Sequence, residues 1–182
     1  VLRARAGDAR AFDRLVERHG RLVLSVARNL LGHREDAEDV AQEVFLRFYR
    51  SLGRFDPSRP VEPWLVRITV NCARSHRRRR DRDGMSSLED TPGEPAAPRG
   101  KGPGAALDAA EVRAALRAGL ATLPERERLV FVLRDVQGLE VTVVAEALGV
   151  SPVTVRRQSM EGRKKLLAWL RAHRPDLVRL FS

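Results

Sequence analysis

Between Val141 and Val155 the chain carries the side chains of a helix-turn-helix, followed by residues able to read bases. Ala145 is small enough to let two helices approach, and Gly149 supplies the positive φ of a tight turn. Val144, Leu148, Val150 and Val155 would fill the wedge between the helices, with Ser151 as cap and Pro152 as first residue of the second helix. That helix opens with Thr154, Arg156, Arg157 and Gln158, where recognition helices present side chains to the major groove. Arginine suits guanine there and glutamine suits adenine. The chemistry so encoded is recognition of a duplex, with no bond made or broken.

Charge points the same way. Seven arginines and one acid between Arg67 and Arg82 give +6, and seven bases and one acid between Pro152 and Arg174 give another +6. The formal net charge of the 182 residues is +10, so the remainder is slightly acidic. Two separated basic segments on such a background read as two footprints on one polyanion. A single Arg-rich helix end could merely complement its helix dipole; one in each half favours nucleic acid.

Enzymatic constellations are missing from the sequence. His19, His33, His76 and His173 have no metal-ligand spacing, and the carboxylates Glu35, Asp36, Glu38, Asp39 and Glu43 fan over a wide solvated arc of a helix. There is no phosphate-binding glycine loop, nucleophile elbow or Cys–His pair. The expectation is a non-enzyme with no cofactor, no metal and no small-molecule substrate. No apolar run exceeds five residues, the length of Leu129 to Leu133, where a membrane span needs roughly 20. With no apolar leader at the N-terminus and Cys72 as the single cysteine, the expected setting is cytoplasmic, without membrane insertion.

The elements that must position these residues read as helices in two groups. Residues Gly84 to Gly104 hold five Gly and four Pro, which predicts a flexible linker over 83–106 between domains at 1–82 and 107–182. The fold class is therefore all-α, two small helical domains whose linker lets them move independently. In the first, Asp8 is a candidate cap, Gly20 is placed to end one helix and Gly32 the next. Ala37, Val40, Ala41, Val44, Phe45 and Phe48 form the clearest helical stripe. Pro63 opens a helix with Trp64 or Leu65, Ile68 and Cys72 inward, Cys72 as a small core residue. In the second domain, Asp108 and Glu111 have capping-box spacing with Leu107 as staple. Pro124 starts a further helix that Gly138 stops, and Glu140 to Leu148 is read as helix despite its β-branched residues.

The segment Asp36-Ala37-Glu38-Asp39-Val40-Ala41-Gln42-Glu43-Val44-Phe45 resembles the region 2 helix of bacterial RNA polymerase sigma factors of the extracytoplasmic-function (ECF) type. Trp64 to Asn71 is similar to the next helix of that region, and Leu123-Pro124-Glu125-Arg126-Glu127-Arg128 with the helix-turn-helix resembles region 4. The resemblance covers nearly the whole chain outside the linker. It implies a factor that directs core RNA polymerase to promoters and aids DNA opening, with promoter DNA and an anti-sigma protein as further partners. It implies that Asp36, Glu38, Asp39, Gln42 and Glu43 dock on polymerase. It further implies that Asn71 and the loop Phe55 to Arg59, Ser58 included, receive a flipped base of the minus-ten strand, while Arg67 and Arg74 follow its phosphates. Ser151, Thr154, Arg156, Arg157 and Gln158 would meet the minus-thirty-five element. The chain departs from the family's usual recognition helix at Gln158, Ser159 and Glu161, and Ser159 with Gly162 thins the inward stripe. A rival reading is a free-standing repressor or activator using the same helix-turn-helix, which leaves the basic run Arg67 to Arg82 without a purpose.

Overall fold

A computed structural model describes residues 1–82 and 109–178; the proposed linker, Leu107 and Asp108 lie outside the described residues. All the regular secondary structure of the described residues is helical, with no strand. A short helix α1, Leu2–Arg5, precedes α2, Ala9–Leu31. Asp8 caps α2 as expected, its carboxylate accepting the Ala11 N–H at 3.0 Å, and Gly32 ends it with φ 84°. Gly20 does not divide the segment. The apolar stripe continues across it, through Phe12 and Leu15 to Val23 and Ala27, and burying that stripe outweighs the roughly 1 kcal/mol that glycine costs inside a helix.

Helix α3, Arg34–Ser51, buries Ala37, Val40, Val44 and Phe48, the expected stripe. A 3-10 turn, Leu52–Arg54, leads through a loop to α4, Val61–Arg82. Pro63 sits within the first turn of α4, where a missing N–H removes no helical bond. Cys72 is buried among α2, α3 and α4, and that burial pushes its thiol pKa up, as suits a core residue.

The C-terminal half begins with α5, Ala109–Ala121, and α6, Glu125–Phe131, which Pro124 precedes as its capping residue rather than its first turn. The helix then widens into a π-helical turn, Val132–Val136, before Gly138 at φ 69°. Helix α7, Val141–Leu148, is followed by the long α8, Pro152–His173, and α9, Pro175–Val178. Helices α5 and α8 cross at Gly119, where a Cβ would lie 2.6 Å from Leu166 Cδ1. Leu166, Leu170 and Leu177 form a small core there with Ala115.

The two halves do not stand apart. Val26 of α2 and Val66 and Val70 of α4 share one buried cluster with Leu129, Val130, Leu133, Val144 and Val155 of the C-terminal half. The expectation of independently moving domains thus meets a packed arrangement. The physical reason is that the N-terminal bundle leaves an aliphatic strip on α2 and α4, and the α6–α7 surface covers it.

Candidate polymerase and nucleic-acid interfaces

The helix-turn-helix forms as its residue types dictate. Gly149 adopts φ 66° and ψ 37°, and the Val150 N–H returns to the Ala145 carbonyl at 3.0 Å, closing the end of α7. The Ser151 hydroxyl accepts the Thr154 N–H at 3.1 Å and caps α8. Val144, Ala145 and Val155 are buried in the wedge.

On the inward face of α8, the two small residues have specific partners. Ser159 donates its hydroxyl to Asp135 Oδ2 at 3.1 Å, and Arg163 pairs with Asp135 Oδ1. A Cβ on Gly162 would meet the Glu127 carbonyl oxygen at 3.5 Å, ordinary van der Waals contact, so α8 packs directly on α6 here. The stripe is thin because polar bonding and close backbone packing replace large side chains. Asp135 enters through the π-helical turn, which no spacing in the sequence reveals.

The outward face of α8 presents Arg156 and Arg157, both exposed and, among the described residues, without an ion pair or hydrogen bond. Thr154 and Gln158 are half-buried, the former sharing a 2.9 Å hydrogen bond with Ser151. Two residues that the sequence reading passed over share this face. Val153 is 71% exposed and Met160 61%. Their helical spacing from the arginines was the signal.

On α4, Arg67, Asn71 and Arg74 fall on one face by their spacing of four and three. Arg67 Nε donates to the Ala147 carbonyl at 3.2 Å and its Nη2 to the Glu146 carbonyl, at the C-terminal end of α7. Arg74 Nε donates to Glu125 Oε1 at 2.7 Å, and Arg59 Nη2 lies 2.7 Å from Glu146 Oε1. The Arg74 bond holds the Glu125 carboxyl below the usual carboxylate range, against the opposing effect of its partial burial. Asn71 remains exposed between these contacts.

The loop before α4 requires a correction. Phe55 is 2% exposed, packed edge-on against Trp64 at 4.9 Å and Phe48 at 6.3 Å between ring centres. Its ring closes the core and is not available to a base. Ser58 directs both N–H and hydroxyl to Asp56 Oδ1, at 3.0 and 2.7 Å, which fixes the turn.

The acidic face of α3 divides into engaged and open residues. Asp36 turns toward α4, pairing with Arg80, and His76 Nε2 lies 3.0 Å from its other oxygen without hydrogen-bond geometry. Asp36 therefore joins two helices of the bundle, which corrects its reading as an open docking group. Glu38 pairs with Arg34 and Glu43 with Arg47, each one helical turn away. Asp39 and Gln42 are exposed, and Leu46 and Tyr49, both 53% exposed, continue their face. Among the described residues, no His, Cys, Asp or Glu cluster could hold a metal ion, and no helix is long and apolar enough to cross a membrane.

Residues 15–83 match the family Sigma-70 region 2, and residues 113–166 match Sigma-70, region 4. Among curated proteins, the chain is 37% identical to the ECF RNA polymerase sigma factor SigE of Mycolicibacterium smegmatis over 90% of its own length, and it spans 63% of that protein. It is 32% identical to the RNA polymerase sigma-H factor of Pseudomonas aeruginosa, covering 91% of this chain and 89% of the relative. Among solved structures, CnrH in complex with the cytosolic domain of CnrY superposes with a TM-score of 0.71 at 30% identity, covering 94% of each chain. RpoE of Bartonella quintana, solved with the anti-sigma factor NepR, shares the fold at a TM-score of 0.67 and 19% identity.

Proposed function

The chain belongs to the sigma-70 family as a factor of ECF type, and from that premise we propose how its surfaces divide the work of promoter-specific initiation by RNA polymerase. The carrying observation is the separation of charge. One open acidic surface, on α3, accompanies two basic surfaces, on α4 and α8, and none of the three lies on the same helix as another.

Asp39 and Gln42, with Glu43 and Glu38 beside them, are the docking residues for core polymerase in this reading. Asp36 supports them by holding α3 against α4. Arg67 and Arg74 follow the phosphates of the minus-ten strand, with Arg59 and Ser58 at its edge. Asn71 supplies a donor and an acceptor to the edge of an unstacked base. Flipping that base costs a few kcal/mol, which pocket hydrogen bonds and phosphate contacts offset. Because Arg59, Arg67 and Arg74 contact the C-terminal half, reaching the strand requires the two halves to part. Arg156 and Arg157, with Thr154, Gln158 and the cap Ser151, read the minus-thirty-five duplex.

An anti-sigma partner of the kind bound to CnrH is proposed for this chain as well. A 630 Å³ apolar groove between α2 and α5 is rimmed by Arg21, Arg28, Arg113 and Arg117, and an acidic amphipathic helix has the charge and shape to enter it. The factor makes no bond itself in this reading.

Run-off transcription with purified core polymerase tests the assignment. Asp39→Ala with Glu43→Ala changes exposed or half-exposed carboxylates on a helix held by its buried stripe, so the fold survives. The double variant is expected to lose polymerase association and promoter-specific transcripts while keeping the weak, salt-sensitive DNA binding of the isolated chain. Tight binding of one duplex operator by the unaided protein, equal in the double variant, would replace this reading with a helix-turn-helix regulator.

A further inference from the structure

The outward stripe of α8 has a composition that a plain phosphate-binding surface does not need. Val153 and Met160 are 71% and 61% exposed, while Val155, Ser159, Gly162 and Leu166 of the same helix point inward and are buried. Seven residues separate the two apolar side chains, which brings Met160 back to within about 20° of Val153 around the helix axis. Arg156 and Arg157 fall between them, on either side of the same line. The order along the stripe is therefore apolar, two guanidinium groups, apolar. Isolated exposed hydrophobic residues are common on protein surfaces. Two on one line, interleaved with the two exposed arginines of the helix's first turns, form a pattern.

The scaffold under this stripe is fixed. Asp135 accepts from Ser159 and pairs with Arg163, tying α8 to the π-helical turn on its inward side. Arg163 is thereby tied to Asp135, whereas Met160 projects, 61% exposed, between Arg156 and Arg163. A side chain held outward by its helix, with most of its surface open, has water or a ligand to meet. In the major groove the one apolar feature on a base edge is the thymine C5-methyl group, and apolar side chains are its partners. Val153 and Met160 lie about 10.5 Å apart along the axis, a distance of roughly three base steps.

We propose that Val153 and Met160 are specificity-determining residues of the upstream promoter element, each packing on a thymine methyl group on opposite sides of the base pairs read by Arg156 and Arg157. The proposal rests on α8 being the recognition helix. It adds that the element is read partly by shape and methyl contact, in addition to hydrogen bonds.

The test uses holoenzyme assembled from the full chain and core polymerase, on a template library randomised over the upstream element. The unchanged protein should select thymine at two positions about three base pairs apart. Met160→Ala should lose that preference at one of them, and Val153→Ala at the other, with the intervening positions unaffected. A second measurement isolates the methyl group: uracil in place of thymine at the selected position removes one methyl and leaves every hydrogen bond. That replacement should weaken the unchanged holoenzyme about four-fold, the value of one buried methyl-sized group, and should leave Met160→Ala unaffected. Retained thymine preference in both alanine variants, or uniform loss of transcription at every sequence, would overturn the proposal. Arg156→Ala serves as the control. If that variant relaxes base preference while the apolar variants do not, the recognition helix stands and the methyl reading falls. If none of the three changes base preference, the assignment of α8 itself fails.

Discussion

Arg67 and Arg74 on α4 lie against the C-terminal half of the chain, whereas Arg156 and Arg157 on α8 project outward with no partner among the described residues. Both pairs belong to surfaces of equal charge, and the difference lies in what covers them. On α4 the arginines donate to carbonyl groups at the end of α7 and to Glu125, and the aliphatic strip of Val66 and Val70 beside them is buried by Val130, Leu133 and Val144. On α8 none of the described residues covers the stripe in this way. Among the described residues the α8 arginines are thus open, and the α4 arginines are occupied.

The covering is weak where it is ionic. Arg74 and Glu125 are 37% and 50% exposed, and an ion pair of that kind contributes about 0–1 kcal/mol. Nearby, burial and the neighbouring Arg77 together lower the pKa of Arg128, so part of the same contact is unfavourable. The apolar cluster supplies the larger share of the adhesion. A nucleic-acid strand offering several phosphates to Arg59, Arg67 and Arg74 is therefore a credible competitor for this surface.

The largest effect of a substitution is expected at α8. Replacing Arg156 and Arg157 together by alanine should reduce transcription from promoters that need the upstream element by tenfold or more, since each good bidentate base contact is worth about 1–3 kcal/mol. Holoenzyme affinity for a single-stranded minus-ten oligonucleotide should stay unchanged. A parallel fall in both readouts would show that the two surfaces do not act separately.

A smaller effect is expected on α4. Asn71→Ala should lower discrimination at one minus-ten position by several-fold, within the range of one lost hydrogen-bonded contact, with polymerase association intact. Base preference measured on minus-ten variants checks it, and an unaltered preference would leave Asn71 as a surface residue between two arginines.

These surfaces differ also in how far the sequence disclosed them. The helix-turn-helix was legible because each of its parts is local: Gly149 turns, Ser151 caps, Pro152 starts, and Val144 and Val155 fill the wedge. The α3 stripe was legible for the same reason, being one periodicity within one helix. Gly20 misled because a local penalty was read without the burial that overrides it. Phe55 misled because its loop position said nothing of Phe48 and Trp64, which come from two other segments and enclose it. Asp135, the Asp36 pairing with Arg80 and the contact of α4 with α7 depend on residues 24 to 80 positions apart. No spacing rule reaches across such distances.

The smallest expected effect bears on the covering of the α4 surface itself. Glu125→Gln with Glu146→Gln removes the carboxylates facing Arg74 and Arg59 and leaves every proposed DNA-contact residue in place. The bonds from Arg67 to main-chain carbonyls survive, as does the apolar cluster, so the closed arrangement should loosen rather than dissolve. Two exposed ion pairs together amount to about 1 kcal/mol, which predicts a two- to five-fold gain in affinity of the isolated chain for a minus-ten single strand. The sign of the pH dependence follows from Glu125. Its carboxyl is held below its usual range in the closed form, so its contribution is present above the ordinary carboxylate pKa and is lost as pH falls through the depressed value. Acidification should therefore loosen the unchanged chain, seen as a larger radius of gyration in small-angle scattering, while the double variant should respond less because it has already lost that contribution. Equal strand affinity in the two proteins, together with equal dimensions, would mean that Glu125 and Glu146 do not cover the α4 surface in solution, and the contrast with α8 would then rest on the apolar cluster alone.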